Sequence, residues 1–193
     1  MGKHFKTVGS YIVVVMAFLG LLYGGGKLYD QFGGTTGVAR EIRDAAEQGD
    51  LKAQNELGLV YVQGKGVARD YKEAVKWFRQ AAEREYAPAQ KNLGQMYLLG
   101  TGVAQSHARA VDWNRRAAEQ GNAGGQYNLG VAYAEGKGVP QDWVQAHAWF
   151  NISATNGKEN KRYTRYEVER KMTVEQIEMA QELTREWKRK HPN

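Results

Sequence analysis

Cysteine is absent from the chain, which excludes disulfide bridges, thiolate zinc sites and cysteine nucleophiles while suiting either redox compartment. Proline is nearly as scarce, at three residues in 193, and helix formers dominate. The 23 glycines fall at spaced positions rather than in low-complexity runs. Charge of one sign is not concentrated either. The balance is +6, but acids and bases alternate, as in Glu83-Arg84-Glu85 and Arg185-Glu186, so the surface reads as mixed and solvated. Lys188-Arg189-Lys190 is the one compact basic run.

Long apolar runs are missing too, with one exception. Between Lys6 and Lys27 lie twenty uncharged residues, in a chain whose mean hydropathy is −0.65. As a helix this stretch would span ~30 Å, the thickness of a hydrocarbon core. Tyr11 and Tyr23 stand near its ends, where amphipathic rings favour the interface. Residues 1–30 therefore read as a short stub plus a transmembrane anchor at about 7–26, and residues 31–37 as a tether. A cleaved signal peptide is the rival reading, with Lys3 and Lys6 as its basic region and Gly24-Gly25-Gly26 near the cut. Against it stand the length of the stretch and the lack of an A-x-A site. Lys3 and Lys6 before the segment place the N-terminus inside and the rest across the membrane, although repeats facing the cytoplasm remain the alternative.

What is abundant is internal repetition. Three blocks align without gaps at a spacing of 36: residues 45–80, 81–116 and 117–152. Identical columns include Gln54/Gln90/Gln126, Leu57/Leu93/Leu129, Gly58/Gly94/Gly130 and Tyr61/Tyr97/Tyr133. They continue through the Gly-x-Gly-Val turns at Gly64, Gly100 and Gly136 to Ala74/Ala110/Ala146 and Trp77/Trp113/Trp149. Each block reads as two helices. Helix A runs roughly from Ala53 to Gln63 and is stopped by Gly64, since glycine readily turns left-handed at a helix end. Helix B opens at Asp70, Ser106 or Asp142, all good caps, with Glu73 and Gln145 placed for capping boxes. A glycine inside helix A costs about 1 kcal/mol against alanine. Its recurrence predicts close approach of a neighbouring helix, with Tyr61 and Trp77 filling the space around the crossing.

The pattern A-A-E-Q-G-D-x-x-A-Q-x-x-L-G-x-x-Y-x-x-G-x-G-V-x-x-D-Y-x-x-A-x-x-W-F resembles the SEL-one-like repeat (SLR), a relative of the tetratricopeptide repeat. The likeness covers residues 45 to about 155. It implies an all-α fold, a right-handed α/α solenoid, working as a non-catalytic adaptor of the bacterial membrane-anchored type. Two positions depart from the pattern: Asn114 replaces the second aromatic, and Gly124-Gly125 opens the third helix A. Residues 38–48 resemble a lone helix B that caps the first repeat, and residues 153–193 supply C-terminal caps. Within the latter, 160–171 is expected to form a further helix A, and a Thr173–Gln176 capping box to open a last helix through Trp187.

By similarity with tetratricopeptide repeats, helix A lines the concave surface, so its variable columns are the candidate partner-binding residues. These are Asn55/Lys91/Tyr127, Leu59/Gln95/Val131 and Val62/Leu98/Ala134, with Tyr127 the first choice as an anchor free of stacking duty. The partner implied is a protein or peptide. No cofactor or metal is called for: His107 and His147 stand in columns otherwise held by Tyr71/Trp143 and Val75/Val111, and no H-E-x-x-H spacing occurs. Nucleic acid is not expected, because a basic stripe is not sustained: Lys65 becomes Thr101 and Arg69 becomes Gln105. Two other readings stay open. One is a small hydrolase with its site in the groove; the other is a self-associating membrane module built on Gly20 and Gly24.

Overall fold

The computed structural model describes residues 37–157 and 165–192. The predicted stub and anchor at 1–30, and the tether through residue 36, lie outside the described residues. Among those described, no helix is long and apolar enough to cross a membrane, and every regular element is a helix.

The chain divides into two compact units, residues 1–70 and 71–193. In the first, α1 (Gly37–Glu47) and α2 (Leu51–Gln63) form a hairpin. Asp50 caps α2 by accepting from the Ala53 N–H at 2.6 Å, and Gly64 ends it with φ +69°. The Gln54 amide donates to the Ala46 carbonyl at 3.1 Å, and Arg43 donates to the Tyr61 hydroxyl at 3.0 Å.

In the second unit each helix packs on the next: α3 (Tyr71–Glu83), α4 (Ala87–Leu99), α5 (His107–Glu119), α6 (Ala123–Glu135) and α7 (Trp143–Thr155). Then come the short α8 (Arg165–Glu169) and the long α9 (Val174–Lys190), both lying on α7. The caps follow the expected chemistry. Ser106 accepts from Arg109, Asp142 from Gln145, and Thr173 with Gln176 closes a complete capping box.

The glycine crossings are as tight as their recurrence predicts, but the filler is different. A methyl group on Gly130 would lie 2.7 Å from Phe150 Cε1 and 3.3 Å from the Ala146 carbonyl; on Gly94 it would meet the Asn114 amide at 2.7 Å. The crossing is therefore filled by the residue after the tryptophan. Trp113 and Trp149 are half-buried, whereas Asn114 and Phe150 are buried. Trp149 instead packs with Val111, Ala118 and Leu129, joining α7 to the preceding hairpin. Burying a ring edge against a bare helix lets two backbones approach more closely than two large side chains would.

The second glycine of each turn also has a packing role beyond stopping a helix. A methyl on Gly102 would sit 2.2 Å from the Tyr71 carbonyl oxygen, and on Gly138 2.4 Å from that of His107. Each turn thus seats its backbone directly on the first residue of the preceding helix B.

Of the helix predicted over 160–171, residues 160–164 lie outside the described residues, and the described part is helical over Arg165–Glu169 and turns at Arg170 and Lys171. Arg165 and Tyr166 stand where the internal units carry leucine and glycine, so the pair that seats helix A on helix B is lost. Val168 is nonetheless buried, and α9 buries Ala180 and Thr184, with Ile177 and Leu183 half-buried beside them.

Candidate partner-binding surface

On α4 the predicted stripe separates cleanly from the core. Ala89, Gln90, Leu93, Gly94, Met96 and Tyr97 are buried, while Lys91, Gln95 and Leu98 are half-exposed at i, i+4 and i+7. Leu99 extends that edge with 61% of its surface exposed. The stripe mixes an ammonium, an amide and two apolar side chains. Lys91 Nζ donates to Asn92 Oδ1 at 2.6 Å, and the Leu98 carbonyl accepts from Gln105 at 2.8 Å, so both ends are held in place.

The equivalent trio on α6 is only partly open, with Tyr127 and Val131 half-buried and Ala134 buried. Tyr127 packs on Phe150 with ring centroids 5.4 Å apart, so it has the stacking duty that the sequence denied it. Tyr127 and Val131 lie against a cluster of Ala134, Ala146, Phe150 and Val168, and Ala134 is only 3% exposed. In the first unit Asn55 is buried as well, leaving Leu59 and Val62 half-exposed. On α6 the cause is a neighbouring element. A column facing outward in mid-array faces the following helix when that helix is close, and Val168 of α8 fills this place beside α6.

Sequence reading missed a set of amides that hold the array in register. Gln90 and Gln126, both fully buried, donate to the Ala82 and Ala118 carbonyls at 3.2 and 3.1 Å. Each accepts in turn from the end of the next helix B: Gln120 reaches Gln90 at 2.8 Å, and Asn156 reaches Gln126 at 3.0 Å. Buried amides are costly unless all their groups are paired, and these are paired across successive hairpins. The signal was present as an identical glutamine column, though its partner column is only similar in chemistry.

Asn114, where the pattern has an aromatic, is likewise accommodated. It donates to the Ala110 carbonyl at 2.8 Å and accepts from Asn128 at 3.0 Å. No group of metal-ligating side chains occurs among the described residues. Both ring nitrogens of His147 are engaged, by Glu169 and Asn151, so neither is left to serve a nucleophile. The carboxyls that shift are on α9, away from the stripe. The hydrogen bond and charge of Arg185, with help from Arg189, hold Glu182 below the usual range. Glu175 is lowered by its own backbone N–H and then by Thr173.

Tandem helical hairpins with a fixed core and one variable exposed stripe define a repeat scaffold. The Sel1 repeat model matches residues 51–86, 87–122 and 123–158, more than half of the chain, and the protein belongs to the Sel1 repeat family. The period is the one read from the sequence, phased six residues later so that each unit opens on helix A. Proteins of this family are generally protein–protein interaction scaffolds. Among solved structures, the chain is similar to a protective antigen of uropathogenic Escherichia coli strains that displays an SLR fold, with 36% identity and a TM-score of 0.70. That likeness covers 79% of this chain but only 33% of the antigen's. A Sel1 repeat protein from Oxalobacter formigenes is 44% identical, with a TM-score of 0.59, over 61% of this chain and 90% of that one. No curated protein matches the chain.

Proposed function

We propose that this protein is a membrane-anchored scaffold of a bacterial envelope that docks a protein or peptide along the exposed edge of its helix A series. Residues 7–26 hold it in the inner membrane, and the repeats work in the periplasm as a right-handed superhelix whose concave wall carries the contact. The observation carrying the reading is the stripe of Lys91, Gln95, Leu98 and Leu99, held open on a helix whose other faces are buried. An exposed leucine beside a positive and an amide group suits an amphipathic segment with acidic flanks. The twenty uncharged residues between Lys6 and Lys27 support the anchor. The antigenic character of the Escherichia coli relative agrees with a place outside the cytoplasm.

A photo-crosslinking side chain at Gln95 in living cells is expected to capture a discrete partner, while one at Lys76 on α3 captures none. The double variant K91E/L98A is expected to weaken that capture by roughly tenfold with helicity unchanged. Equal capture from both positions, or no effect of the double variant, rules out this edge as the docking site.

A further inference from the structure

The internal hairpins close the step from helix B to the following helix A with one recurring pair. Arg79 donates to the Tyr97 hydroxyl at 3.1 Å, Arg115 to Tyr133 at 3.2 Å, and, within the first unit, Arg43 to Tyr61 at 3.0 Å. In the second unit a buried valine lies in the same helix B four residues before each arginine: Val75 and Val111. Counted on by 36, the arginine column reaches Asn151, the tyrosine column Glu169 and the valine column His147. All three residues change together.

The changed residues bind one another. His147 is 1% exposed; its Nε2 lies 2.8 Å from Glu169 Oε1 and its Nδ1 3.2 Å from the Asn151 amide nitrogen. Glu169 is its ionic partner. A buried imidazole needs partners at both nitrogens. Here Nε2–H donates to a carboxylate, a charge-assisted bond, and the Asn151 amide supplies Nδ1. A tyrosine in place of Glu169 would exchange the charge-assisted bond at Nε2 for a weaker one to a neutral hydroxyl, and its hydroxyl would find no guanidinium at Asn151. An internal pair of valine and arginine would leave a carboxylate beside an aliphatic side chain.

We propose that His147 and Asn151 make the end of the array a docking face selective for a carboxylate-bearing segment. The segment carrying Glu169 is accepted there, and the tyrosine-bearing helix A of a further repeat, from this chain or a second copy, is refused. His147 and Asn151 act as specificity-determining residues for the segment that packs after α7.

Hydrogen exchange of the Arg170, Lys171 and Met172 amides, which bond to the Tyr166, Val168 and Glu169 carbonyls, reads the docking of α8 in the full chain. E169Y is expected to speed that exchange roughly 10- to 100-fold. The triple variant H147V/N151R/E169Y, which installs the internal code, is expected to return it to within roughly threefold of the native rate. Exchange unchanged in E169Y, or a triple variant no slower than E169Y, overturns the proposal. Should E169Y unfold more than α8, the cycle of H147V, E169Q and their double decides. Selectivity requires the double to exchange more slowly than the summed single effects give, and simple additivity overturns it.

Discussion

Among residues, the turn glycines carry the most severe constraint in the structure. Gly138 combines φ +79° with a backbone oxygen 2.4 Å from where a methyl would go. Gly121 has φ +80° but nothing within 4 Å. Alanine at Gly121 therefore meets only left-handed strain, about 1 kcal/mol, whereas at Gly138 it must also push α6 and its turn off α5. Thermal or urea unfolding of the two variants is expected to show a loss of about 1 kcal/mol for Gly121→Ala and of about 3 kcal/mol or more for Gly138→Ala. Similar losses would mean that the close contact relaxes without cost. The first glycine of each turn was legible as a helix stop. The second was not, because its partner is a carbonyl 31 residues upstream, and no sequence pattern marks an ordinary backbone oxygen.

At the scale of elements, what could be read was whatever depends on local chemistry. Caps at Ser106, Asp142 and Thr173, left-handed stops at Gly64, Gly100 and Gly136, and the periodic stripes all follow from neighbours within one turn. What could not be read depends on which helix lies alongside. Phe150 rather than Trp149 fills the Gly130 crossing, and Tyr127 packs half-buried against the cluster of Phe150 and Val168. The burial of Ala134 on α6, in a column half-exposed on α4, was not legible for the same reason. The last helix illustrates the local side quantitatively. Its N-terminus depends on the reciprocal bonds of Thr173 and Gln176, at 3.3 and 2.9 Å. Thr173→Ala is expected to lower stability by about 1 kcal/mol and to fray α9 from Val174 onward, observable as faster amide exchange in its first turn. An unchanged first turn would show that packing on α7 alone holds the helix.

For the molecule as a whole, the proposed anchor predicts a simple partition. The full chain is expected in the membrane fraction and resistant to high-salt or carbonate washing, and a variant beginning at residue 38 is expected in the soluble fraction with its helical content intact. A soluble full chain carrying residues 1–30 would remove the anchor. Those two results bear on location alone, since the exposed edge of α4 is built entirely within residues 71–157.

The amide rungs lead to a mechanical consequence. Gln90 is gripped by Ala82 behind it and by Gln120 ahead, and Gln126 by Ala118 and Asn156, so each hydrogen-bonded link spans one hairpin and its successor. A tensile load along the stack then meets a series of similar latches rather than one shared core. Under such pull the stretch between Tyr71 and Gly157 lengthens in discrete increments, one hairpin slipping free before its neighbour yields.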